Sequence, residues 1–186
     1  MRHGPSVPQP RPFLTWRPVS YFAAALARTD DGWSGVELDL SEVEDLEALT
    51  DLLRDLTGEG PGPALMLLEE DDEHVAVVRV DGGVGSLDEA RVFLSDRRAV
   101  QDSEVAALLW EQPEPADDDD VEDDEDEGAS PLAEPVGDAG LLADLGTPAD
   151  LLLETCAEEG LLPADVLSTL CERAGCLDAL EQLREG

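Results

Sequence analysis

The side chains best suited to build a reaction centre or a metal site in this chain are two histidines and three cysteines. His3 lies in a Pro-rich N-terminal segment, and His74 opens the apolar run HVAVVRV. A Ser-His-Asp arrangement would have to use His74, yet no G-x-S-x-G elbow is present to carry the serine. Cys156, Cys171 and Cys176 contain no C-x-x-C knuckle, and the step of five from Cys171 to Cys176 does not stack on one helical face. They read as small core residues. GGVG at 82–85 lacks the third glycine of a dinucleotide fingerprint and the Gly-Lys of a phosphate loop, so it reads as a turn.

One spacing match concerns calcium. Asp123, Glu125, Glu127, Gly128 and Glu134 fall at loop positions 1, 3, 5, 6 and 12 of an EF-hand. Glutamate stands at two positions that normally carry Asp or Asn, Pro131 interrupts the loop, and EQPEPADDDDVE cannot form the apolar incoming helix. The match is therefore read as accidental. Carboxylates are so numerous that adjacent pairs are no evidence for acid/base catalysis. The expectation is a chain with no catalytic, cofactor-binding or metal-binding residues, and hence not an enzyme.

The formal charge is −35, and all 11 basic residues are arginine. By segment it is +3 over 1–19, −16 over 20–110, −14 over 111–138 and −8 over 139–186. The acidity thus extends beyond the tract DDDDVEDDEDE, Asp117 to Glu127, into the segments with ordinary apolar patterning. Such a surface is repelled by phosphate backbones and releases none of their counterions, so direct binding to nucleic acid is not expected. The odd number of cysteines and the absence of a signal peptide or long apolar span point to a soluble cytoplasmic protein with no membrane association. The absence of Lys with an abundance of Ala, Gly, Leu, Asp, Glu and Pro points to a genome of high GC content.

Four segments follow from composition and periodicity. Residues 1–19 read as a disordered Pro/Arg-rich leader, with PQPRP able to sample polyproline II geometry. Residues 20–110 read as an α+β domain of order ββαβββα, an antiparallel five-stranded sheet with helix on one face. Its elements are the hairpin YFAAALAR-TDDG-WSGVEL and a helix bearing Val43, Leu46, Leu49, Leu53 and Leu56. The strands ALMLLEE, HVAVVRV and ARVFLSD follow, then a short helix ending at Trp110. Ser41 with Glu44 forms a capping box for the first helix, and Asp102 or Ser103 caps the second. Residues 111–138 read as an acidic disordered linker, because the one apolar residue within the tract, Val121, cannot offset the entropy of ordering it. Residues 139–186 read as a small all-α module with a start at Thr147-Pro148 and stops at Gly160 and Gly175. Periodicity leaves open whether these helices form a mini-bundle or fold back onto the sheet.

The aromatic residues Tyr21, Phe22 and Trp33 on the first hairpin, with Phe93, are candidates for partner contact; the competing reading places them in the core. The strings SYFAAALARTDDGWSGVELDLSEVEDLEAL, DEARVFLSDRRAV and LGTPADLLLETCAEEGLLPADVLSTLCERAG resemble the actinobacterial tRNA adenosine deaminase-associated protein family. The resemblance covers most of 20–110 and, more loosely, the tail. It implies an accessory role near tRNA wobble-adenosine deamination and carries over no active-site residues. The chain is not itself such a deaminase, which needs H-x-E and P-C-x-x-C: His74 is followed by Val75 and Ala76, and C-x-x-C is absent. The combined expectation is a non-catalytic interaction protein whose acidic surface steers a basic protein partner such as a tRNA adenosine deaminase. The alternative is an acidic nucleic-acid mimic that competes for a basic groove through residues 117–127.

Overall fold

The computed structural model describes residues 21–57, 60, 62–82, 89–110 and 133–185. The leader 1–19, the acidic tract 117–127 and most of the calcium-like loop lie outside the described residues. β1 (Tyr21–Thr29) and β2 (Gly32–Glu37) form a hairpin in which Thr29 faces Gly32 across an Asp30-Asp31 turn. β3 (Ala64–Glu70) and β4 (His74–Val80) form a second hairpin. Its central Asp71 and Asp72 take φ of 51° and 57°, and Glu73 N–H closes onto Glu70 O at 3.0 Å, a type I′ turn suited to the twist of the strands.

β5 (Arg91–Leu94) pairs with β4, and a sixth strand, β6 (Val136–Gly137), pairs with β5. The sheet is antiparallel throughout, in the order β2-β1-β3-β4-β5-β6. The expected five strands are therefore six. The extra one falls inside the stretch assigned to the linker, where a two-residue strand is too short to show any alternation.

Helices cover both faces of the sheet: those of residues 20–110 lie on one face, as expected, and the C-terminal helices cover the other. On the first face α1 (Leu46–Thr57) sets Leu49 and Leu53 over Ala23, Ala25, Ala27, Met66 and Leu68. The small alanines of β1 let the helix lie close. α2 (Ala99–Asp102) and α3 (Glu104–Leu109) extend this layer, with Leu109 in the same core.

The expected capping box is not used. Ser41 lies in a short 3₁₀ turn, Leu40–Glu42, where its N–H donates to Asp39 Oδ1 at 3.0 Å. Val43 is extended, and α1 starts after Asp45, whose Oδ1 accepts from Ala48 N–H at 2.7 Å. A carboxylate one turn later displaced the predicted cap. Ser103 does cap α3, as expected, accepting from Ala106 N–H at 3.0 Å.

On the second face, a 3₁₀ turn (Ala143–Leu145), α4 (Ala149–Ala157), α5 (Pro163–Ala174) and α6 (Leu177–Glu185) fold back onto the sheet. Leu141, Leu142, Leu152, Leu167, Leu170 and Leu180 share a core with Ala24, Leu26, Leu65, Leu67, Val75, Val77 and Phe93. The alternative left open by periodicity is thereby resolved. α6 reaches as far as β2, where Gly35 makes room: a Cβ there would sit 2.6 Å from Leu26 Cδ2 and 2.9 Å from Leu183 Cδ1.

Candidate functional site

The end of the sheet at the β3–β4 turn carries a cleft of about 440 Å³ with a strongly acidic rim. Glu70 and His74 face one another in register as the last residue of β3 and the first of β4. Asp71 and Glu73 come from the turn between them, and Asp96, Arg98, Asp102 and Ser103 from the segment after β5. Glu70 is buried, and its Oε2 accepts the Ser103 hydroxyl at 2.6 Å. His74 Nε2 lies 3.1 Å from the same oxygen but off the line a hydrogen bond needs, so the two are neighbours without one.

A serine, a histidine and a glutamate meet here, but not in a nucleophilic order. The hydroxyl gives its proton to Glu70, and its lone pair holds the start of α3. Asp96 and Arg98 form a two-pronged ion pair, with the shortest contact at 2.6 Å. Burial pushes the Asp96 carboxyl up, and the Arg98 hydrogen bonds outweigh it, leaving the group below its ordinary value. With Arg98 so engaged, the cleft presents a surplus of negative charge, which suits a cationic group and disfavours phosphate.

Two arginines clamp the C-terminal helices to the sheet. Arg79, buried in β4, donates to Asp81 Oδ1 at 2.6 and 2.8 Å, to Leu141 O at 2.7 Å and to both carboxylate oxygens of Asp144. Arg184 near the end of α6 pairs with Glu69 at 2.6 Å and lies 5.4 Å over the ring of Phe22. Sequence reading missed both clamps. The available signal was an arginine inside the otherwise apolar run HVAVVRV, at an inward position of a buried strand.

The Arg79 hydrogen bond holds the Asp144 carboxyl below its ordinary 3.8, against a smaller opposing effect of burial. A carboxyl depressed on folding binds fewer protons when folded than when unfolded. Its stabilisation is therefore complete above the unfolded value and is lost as pH falls through the folded one. Asp144→Asn should lower Tm by about 2–4 °C at neutral pH, for a half-exposed pair worth about 1 kcal/mol or less. This deficit should shrink below about pH 4. Paired thermal melts of the two proteins across pH 3 to 7 check this; a deficit independent of pH would refute it.

The four aromatic candidates do not form one patch. Tyr21 faces the α1 side, where its hydroxyl accepts from Leu40 N–H at 3.1 Å and donates to Asp39 Oδ1 at 3.4 Å. Phe22 and Trp33 are half-buried on the opposite side; the Trp33 indole N–H donates to Ala174 O at 3.2 Å. Phe93 is 1% exposed and belongs to the core. What remains open on the hairpin, among the described residues, is the outer edge of β2, where Ser34, Gly35, Val36 and Glu37 are exposed and Val36 is 40% accessible.

Among the described residues no three or more His, Cys, Asp or Glu side chains are grouped to hold a metal ion, and no helix is long and apolar enough to cross a membrane. No solved structure matches the chain. Protein Rv3753c of Mycobacterium tuberculosis (strain ATCC 25618 / H37Rv) is 32% identical over 160 residues, covering 86% of this chain and 84% of that one. The model of the Rv3753c-like tRNA adenosine deaminase-associated proteins matches residues 21–177, which include the sheet, the cleft and the Arg79 clamp, while Arg184 lies beyond the matched range. With the match spanning both helical layers as well as the strands between them, the chain belongs to the Rv3753c-like tRNA adenosine deaminase-associated protein family.

Proposed function

We propose that the protein is a non-catalytic accessory partner of a tRNA adenosine deaminase, acting through protein contacts and not on tRNA directly. The observation that carries this reading is membership of a family described by its association with that enzyme, in a chain whose net charge is −35. That charge repels the tRNA backbone and steers a basic protein surface. Both faces of the sheet are occupied by the chain's own helices, so the contact is assigned to the outer edge of β2, with the acidic surface providing attraction at longer range. An exposed strand edge offers unpaired backbone groups and alternate side chains to a partner strand.

The test is co-purification of the tagged protein with the deaminase of the same organism at low and high salt. It should use the full chain, a version lacking residues 117–127, and Glu37→Pro, since Leu38 N–H bonds Ala23 O and the alternation of the ladder turns the Glu37 N–H to the open edge. Salt-sensitive recovery by the full chain and the shortened version, lost in Glu37→Pro, is the expected result. Loss on removing 117–127 alone would support nucleic-acid mimicry instead. Absence of recovery even at low salt would refute the partnership.

A further inference from the structure

Cys171 and Cys176 are separated by a helix end, and that end brings them together. Gly175 closes α5 at φ 75°, with its N–H on Glu172 O at 3.3 Å and the Cys176 N–H on Cys171 O at 2.9 Å. This is the Schellman pattern, in which the third residue from the helix end and the second beyond it turn their side chains against each other. Here both positions are cysteine and both are 1% exposed, so the motif sets the two thiols side by side in the core. Their mutual interaction pushes the Cys171 thiol up and the Cys176 thiol down. Cys176 also precedes α6, its carbonyl accepting from Ala179 and Leu180 N–H, and a helix start favours a thiolate.

We infer that Cys171 and Cys176 are a redox dithiol that closes to an intrachain disulfide by exchange with a low-molecular-weight disulfide. The Cys176 thiolate attacks one sulfur of the small disulfide, forming a mixed disulfide and releasing one small thiolate. Cys171, losing its proton to solvent, then attacks Cys176 Sγ and expels the second small thiolate. Two protein thiols are oxidised, one small disulfide is reduced to two thiols, and no other oxidant is required. Closure ties the last turn of α5 covalently to the start of α6, beside the Ala174 carbonyl that receives the Trp33 indole N–H.

Both sulfurs are buried, so reaction proceeds through transient lifting of α6, which Arg184 and Glu69 resist. The remaining cysteine, Cys156, has its thiol pushed up to about 11 by burial, is half-buried and serves as the site to remove.

The experiment equilibrates native full-length Cys156→Ser protein with mixtures of reduced and oxidised glutathione, followed by acid trapping, thiol counting and peptide mass. Both thiols should disappear together, with a peptide lighter by two hydrogens and no glutathione adduct. With Cys171→Ser added, an adduct should accumulate on Cys176. Glu69→Gln should speed closure by roughly two- to fivefold through easier lifting of α6. A pair that stays reduced in fully oxidised glutathione, or that closes only in denaturant, would overturn the assignment. An unchanged rate in Glu69→Gln would overturn the route through α6.

Discussion

Phe93→Ala should cost about 3–5 kcal/mol and lower Tm by about 6–20 °C. The ring is 1% exposed, stands opposite Val77 on β4 and Gly137 on β6, and packs in the core shared with Leu141 and Leu142. Its removal leaves a cavity walled on one side by strands and on the other by the C-terminal segment, neither of which can collapse without breaking the Arg79 clamp. A differential-scanning melt of the purified variant decides the matter. A midpoint within 2 °C of the parent, together with lost partner recovery, would instead make Phe93 a contact residue, against its observed burial.

The second large effect is expected from removing residues 139–186. That truncation uncovers Ala24, Leu26, Leu65, Leu67, Val75, Val77 and Phe93 on one continuous face. Six of these are Leu, Val or Phe, each contributing about 1.5–3 kcal/mol when fully buried, or roughly 9–18 kcal/mol together. That matches or exceeds the whole stability of a typical domain, about 5–15 kcal/mol. The shortened chain should therefore lack a cooperative thermal transition, bind an apolar dye and elute as aggregate. A sharp melt and monomeric elution would show that the sheet and α1 layer stand alone.

Most of the strands were legible because runs such as ALMLLEE and HVAVVRV are bounded by turn residues. The same runs held a further message that was read too narrowly. They are nearly continuously apolar, the pattern of strands covered on both faces, whereas one-sided cover leaves alternation. The start of α1 was misplaced by one turn because Ser41, Glu44 and Asp45 all offer local caps, and only packing of Leu49 and Leu53 selects among them. The cleft was invisible in the sequence, since Glu70 and His74 meet across a hairpin and Ser103 reaches them from 33 positions away along the chain. The cysteine pair was dismissed on helical periodicity, an argument that holds only while the helix continues; Gly175 ends it. For the aromatic candidates the sequence left contact and core both open; Phe22 and Trp33 are half-buried, and their partners are the chain's own α5 and α6.

The path of the C-terminal segment has a further consequence. After β6 at one margin of the sheet, the chain crosses the whole second face and finishes its packing with α6 against β2 at the other margin. During synthesis every strand up to β5 leaves the ribosome before the residues that shield that face exist. Adding residues 139–185 takes roughly 2–10 s at about 5–20 residues per second. Through that interval the nascent chain carries an uncovered apolar face beside the carboxylates already made, whose like charge opposes association with neighbouring chains on the polysome.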